Sequence, residues 1–280
     1  MIGVVVDSNS QLPVELAERY GLEVVPLTVT VDGVDHLEGV DLDADAFYAA
    51  WTADHTPEVP TSQPSPGAFG EAYAKLVERG ATEILSVHIA EAMSGTLNSA
   101  RLASETLDVP VRLVDTGTAS FGISCCAWAA ADAIGNGASL EEAAQTAEGR
   151  AATLHTSFVA GVPRLVDRSG RAEGVAVEAA ADDGIPVLAM TGSDFFVLAT
   201  VTDFDAAVTA MVDDALAWSP SHADGLRIAI GTSDATSRPM SRALTDAVTG
   251  HPAVADVVQY RIGPSVGAHT GPGTSGLFVF

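Results

Sequence analysis

Short apolar runs alternate with amphipathic ones through the first 150 residues. Ile2–Val6, Val24–Val31, Ile84–Ile89 and Val111–Val114 are brief and rich in β-branched residues, the pattern of strands buried on both faces. Between them the period changes to that of a helix. Phe69, Tyr73, Leu76 and Val77 recur at helical spacing, and Gly80 is placed to end that segment. Pro13 opens a helix that runs to about Tyr20 and stops at Gly21, and Phe47, Tyr48 and Trp51 mark another. Asp32-Gly33 reads as a tight hairpin turn into a return strand, Val34–Leu37. An Ala-rich helix is predicted from about Phe121 to Ile134, and Ser139 with Glu142 forms a capping box for the next one. This alternation predicts a parallel sheet covered by helices on both faces, a three-layer α/β/α arrangement.

The second half has more hairpins and fewer crossovers. Thr156–Val162 reads as a strand, Pro163–Arg168 as a short helix or turn, and Pro186–Met190 with Phe195–Val201 as a hairpin. A helix over about Asp203–Trp218, a strand at Leu226–Ile230, a helix at Ser237–Val248 and strands at Val254–Ile262 and Leu277–Phe280 complete it. The expectation is an α/β chain of two domains, 1–155 around a parallel sheet and 156–280 around a mixed sheet.

Composition narrows the function classes. The chain is 47% hydrophobic and 18% charged, as a well-packed protein is, with net charge −24 and Lys75 as its sole lysine. Nucleic acid and anionic membrane surfaces both demand a basic footprint, so neither is expected as a partner. Cys125 and Cys126 are adjacent in an apolar segment and read as buried free thiols. MIGVVVDS begins a strand at once, which leaves no room for a signal peptide, and no apolar run approaches bilayer-spanning length. A cytoplasmic protein without stable membrane insertion is expected.

Several motifs invite chemistry. Asp41, Asp43 and Asp45 have the spacing of a calcium loop but lack its glycine and distal glutamate, so they read as charges at a helix N-terminus. His36, His55, His155, His222 and His251 are scattered without metal-ligand spacing, and His88 falls within a strand, where a structural role is expected. No Walker loop and no G-x-G-x-x-G is present, so no nucleotide or other cofactor is expected. Gly263-Pro264-Ser265-Val266-Gly267 satisfies the G-x-S-x-G of a serine-hydrolase elbow. That motif needs a following helix, which AHTGPGTSG is not expected to form, and no carboxylate lies beyond Ser265. Met93-Ser94-Gly95-Thr96 is a different case. It reads as a strand-to-helix turn whose free N–H groups and two hydroxyls suit an anion. Asp7-Ser8 ends the first strand, where open α/β sheets place ligands, and suits a supporting role there or a turn.

Taken in order, five segments resemble the DegV family of bacterial proteins, whose characterised members resemble fatty-acid-binding FakB subunits. They are Val5-Val6-Asp7-Ser8, the TSQPSP loop at Thr61–Pro66 with the SGT-x-x-SA turn at Ser94–Ala100, Val114-Asp115-Thr116, the R-x-G-R turn at Arg168–Arg171, and the GPxxGxHxGPG loop at Gly263–Gly273. The resemblance implies a two-domain DegV-type fold that binds a long-chain fatty acid in an inter-domain tunnel without transforming it. It places the carboxylate against Thr61, Ser62, Ser94, Gly95 and His269, with Arg171 close behind them. It also implies a partner kinase that phosphorylates the presented acid. Physically, a buried carboxylate is costly unless hydrogen-bonded, and hydroxyls, a histidine and helix N–H groups would satisfy it.

The chain departs from the family twice. A basic residue commonly follows the second-domain hairpin, where this chain reads Thr202-Asp203-Phe204-Asp205, and Ala90-Glu91 stands where Ser-Ser is common. The alternatives are a serine-dependent hydrolase or acyltransferase using Ser265 or Ser94 with His269, and a carrier for a smaller or branched acid.

Overall fold

Short, mostly apolar runs form the centre of a parallel sheet. In the computed structural model, which describes residues 1–172, 175, 177, 181, 184–218 and 225–280, contacts divide the chain into two units. The first comprises residues 1–42 and 58–152, the second residues 43–57 and 153–280. His222, one of the scattered histidines, lies outside the described residues.

In the first unit, β1 (Ile2–Asp7), β2 (Glu23–Val25), β6 (Glu83–His88) and β7 (Val111–Asp115) form a parallel sheet in the order β2-β1-β6-β7. Helices Pro66–Glu78 and Thr96–Ser104 bury Phe69, Tyr73, Leu76, Ala100 and Ala103 against Val5, Val25 and Ile84. Helices Phe121–Gly135 and Leu140–Ala151 also pack on this sheet and against each other. Ala127, Ala130 and Ala131 of the first and Ala143, Ala144 and Ala147 of the second are all buried. The Ser139–Glu142 capping box forms as the sequence predicts.

The single strand expected over Val24–Val31 is two. Pro26 has no N–H to give a ladder, and the chain leaves the parallel sheet after β2 to start a separate one. There β3 (Thr28–Val31) pairs antiparallel with β4 (Val34–Leu37) across the Asp32-Gly33 turn, and on its other side with β5 (Thr61–Ser62). Both turn residues take positive φ, +49° and +84°, as the right-handed twist of a two-residue hairpin requires.

The second unit is built on a mixed sheet of order β10-β9-β8-β13-β11-β12. Its strands are β8 (His155–Val159), β9 (Ile185–Thr191), β10 (Asp194–Val201), β11 (Leu226–Thr232), β12 (Val254–Arg261) and β13 (Ser275–Val279). Every pairing is antiparallel except β11 with β12. Helices Phe204–Ala217 and Arg238–Val248 place Met211, Ala215, Met240 and Leu244 on Ile228, Ile230, Leu277 and Val279.

Residues 43–57 contribute to this unit a short helix, Ala44–Ala49, capped by the Asp43 carboxylate, which accepts from Ala46 N–H at 2.8 Å. Asp45 of the same acidic run pairs with Arg261. Against this helix lies another, Pro264–Thr270, where the sequence suggested none. Pro264 starts it with a fixed φ, Gly267 N–H donates to Gly263 C=O at 2.8 Å, and Gly271 at φ +80° stops it. The weak propensity of its glycine is overridden by packing. A Cβ at Gly267 would lie 2.4 Å from Tyr48 Oη and 2.8 Å from Phe47 Cε1, so a residue without one lets the two helices meet.

Candidate functional site

In the first unit, the backbone pairing of β5 with β3 holds Thr61 and Ser62, extended by Thr30 N–H donating to Pro60 C=O at 2.9 Å. Thr61 is half-buried and Ser62 exposed. Ser65 of the same loop is a helix cap, its Oγ accepting from Ala68 N–H at 3.2 Å. Ser94 and Gly95 follow β6 through a tight turn in which Met93 N–H and Ser94 N–H both donate to Ala90 C=O, at 2.9 and 3.1 Å. Ser94 Oγ lies 2.8 Å from Thr96 Oγ1 and accepts from Thr96 N–H at 3.3 Å, so both hydroxyls sit at the start of helix Thr96–Ser104. The loop and the turn adjoin: a Cβ at Gly95 would lie 3.1 Å from Gln63 Nε2. Gln63 is thus a neighbour of the site that sequence reasoning passed over, although it is the Gln of the TSQPSP motif.

In the second unit, the R-x-G-R turn closes helix Pro163–Arg168. Ser169 Oγ accepts from Arg171 N–H at 3.1 Å, and Gly170 takes φ +67°. The Arg171 side chain turns back onto helix Pro264–Thr270. Its Nη1 lies 3.3 Å from His269 Nδ1 and 3.1 Å from Nε2, near-equidistant, so it approaches across the imidazole rather than end-on to one nitrogen. Burial pushes the pKa of His269 down to about 3, helped by the adjacent guanidinium, so the imidazole is neutral at pH 7. Burial lowers the Arg171 pKa as well, although the group remains a cation. A neutral imidazole can donate from one nitrogen, and the desolvated guanidinium gives this locality a positive field.

Ser265 does not have the hydrolase geometry. The helix that the elbow motif requires does follow β12, which removes one expected objection. However, Ser265 lies inside that helix, buried, and it is not among the non-glycine residues with positive φ, which among the described residues are Gln11, Asp32 and Ser120. Two other histidines are used structurally. His155 Nε2 lies 2.6 Å from Asp214 Oδ2 with its ring stacked on Trp218, and His88 is fully buried in β6 beside Asp7. Among the described residues, no group of three or more His, Cys, Asp or Glu side chains could hold a metal ion, and no helix is long and apolar enough to cross a membrane.

Comparison with known proteins covers the whole chain. The family model described as "Uncharacterised protein, DegV family" matches residues 1–280. A DegV domain-containing protein of Streptomyces coelicolor, SCO2569, is 31% identical over 280 residues, which is 99% of this chain and 98% of that protein. Among solved structures, that of a DegV family protein from Thermus thermophilus, described as binding fatty acid, superposes with a TM-score of 0.89 at 27% identity, covering 100% of this chain and 99% of the other. A DegV lipid binding protein from Thermotoga maritima superposes with a TM-score of 0.86 at 25% identity, covering 99% and 97%.

Proposed function

This chain belongs to the DegV family, and from that premise we propose that it binds a long-chain fatty acid as a carrier, without catalysis of its own. The observation that carries the proposal is the full-length likeness to the Thermus protein, which is described as binding fatty acid. In the proposed complex Thr61, Ser62, Ser94, Gly95 and His269 hold the carboxylate, and Arg171, beside His269, supplies positive charge. The chemistry of these groups supports the assignment. An imidazole kept neutral by burial is available as a hydrogen-bond donor, and a desolvated guanidinium favours an anion over a neutral headgroup. The tail, in an apolar tunnel, supplies the affinity: at roughly 0.8 kcal/mol per buried methylene, a long chain gives about 10 kcal/mol gross before the costs of binding.

Handover of the bound acid to a kinase, as in FakB proteins, would need a contact other than a basic residue after the β9–β10 hairpin. In that segment Asp203 instead caps helix Phe204–Ala217, accepting from Ala206 N–H at 3.0 Å.

Mass spectrometry of an organic extract of natively purified protein tests the carrier reading. The expected result is a stoichiometric long-chain acid that is absent from the Thr61→Ala/Ser94→Ala double variant. A chain that purifies empty and takes up no added fatty acid overturns it.

A further inference from the structure

Asp7, at the end of β1, is fully buried and accepts hydrogen bonds on both oxygens. Oδ1 accepts from Asn9 N–H at 3.1 Å, and Oδ2 accepts from Ile89 N–H at 3.1 Å and lies 3.0 Å from His88 Nδ1. Oδ2 thus meets a backbone amide and the imidazole at once. On the far side of the ring, His88 Nε2 lies 2.6 Å from Ser86 Oγ, which lies 2.9 Å from Tyr73 Oη. The connectivity Ser86–His88–Asp7 is that of a nucleophilic triad, but its use is not nucleophilic. All three side chains are fully buried, and the ring of Phe69 stands edge-on to His88 at 5.0 Å. No substrate reaches Ser86.

The sequence DS-x-S therefore ends β1 with a group whose partners lie elsewhere in the chain, and those partners lead to the Ser94 turn. Ser94 N–H and Met93 N–H both hang on Ala90 C=O. Residues 89 and 90 are pinned from two directions: Ile89 N–H by Asp7, and Ala90 N–H by Thr118 C=O at 2.9 Å. The second anchor also traces to Asp7. Asn9, whose N–H is held by Asp7, accepts through Oδ1 from Ser120 N–H at 2.9 Å. Ser120 sits two residues after Thr118 in a conformation, φ 57° and ψ −145°, that a side chain adopts only when its surroundings impose it.

We propose that Asp7, oriented by the buried His88, is the positioning residue for the Ser94 turn: it fixes both backbone anchors of that turn and so sets the affinity for the bound acid without touching it. This inference rests on the carrier reading for its ligand, though its geometric half stands apart from it.

The test uses Asp7→Asn in the full chain, which keeps size but has one acceptor oxygen, so it cannot serve Asn9 on one side and Ile89 with His88 on the other. Two readouts are taken: amide hydrogen exchange at Ile89 and Ser94, and titration with the fluorescent C18 acid cis-parinaric acid, in wild-type and Ser94→Ala backgrounds. The expected result is faster exchange at both amides and an affinity about tenfold weaker or more, with most of that loss absent when Ser94 is already Ala. A general structural defect would give the same loss in both backgrounds, and that outcome overturns the proposal. Unchanged exchange at Ser94 overturns the positioning alone, whereas a wild-type chain that takes up no probe overturns the carrier reading and the ligand half with it. Should Asp7→Asn not fold, His88 decides. His88→Asn keeps a hydrogen-bonding amide where Nδ1 was and is expected to retain affinity that His88→Phe loses, and equal affinities in the two would refute the orienting role.

Discussion

Acid sensitivity offers a direct measure of how the second unit holds His269. Burial, and secondarily the Arg171 guanidinium, depress the folded-state pKa of His269 from the ordinary 6.5 to about 3. The unfolded chain therefore takes up a proton at about pH 6.5 that the folded chain refuses until about pH 3. Stability contributed by the neutral imidazole is complete above 6.5 and is lost as the pH falls through that window. At about 1.36 kcal/mol per pH unit, the drop from pH 7.5 to 5.0 costs roughly 2 kcal/mol from this group alone, and the whole interval about 5 kcal/mol. Other groups titrate over the same range, so the measurement is a difference. Urea unfolding of the wild type and of His269→Asn is followed at pH 7.5 and 5.0, and the variant is expected to lose about 2 kcal/mol less than the wild type. Arg171→Gln, which removes the secondary cause and leaves the burial, is expected to reduce the sensitivity only in part. Equal pH dependence in wild type and His269→Asn would refute the argument, because it would mean that His269 is not held neutral by its surroundings.

Two further outcomes follow from packing. Gly267→Ala places a methyl group 2.4 Å from Tyr48 Oη and 2.8 Å from Phe47 Cε1, so the two rings or the helices that carry them must shift; a loss of about 1–3 kcal/mol is expected, read as a lower urea midpoint, and an unchanged midpoint would contradict the close approach. Cys126 has its thiol pushed up to about 12 by burial, so both buried cysteines are expected to resist a disulfide-exchange reagent at pH 8 in the folded protein and to react at once in denaturant.

What the sequence alone determined is whatever depends on neighbours a few residues apart. The apolar periods located most elements, and the Ser139–Glu142 box, the Asp32-Gly33 turn and the Asp43 cap formed because each is a contact within one turn of chain. The family was legible too, since its motifs survive as words in the sequence. Tertiary structure decided the rest. Helix Pro264–Thr270 exists against its own propensity because Gly267 finds the surface of Phe47 and Tyr48, more than two hundred residues earlier in the chain. The same contact, with the Asp45–Arg261 ion pair, ties residues 43–57 to the second unit, and no local pattern records that. The neutral state of His269 and the partners of Asp7 are likewise properties of places, set by burial and by groups brought together from distant parts of the chain. A hydrogen-bonding group in a sequence carries its donors and acceptors, but which of them water is kept from is settled only when the chain has closed around it.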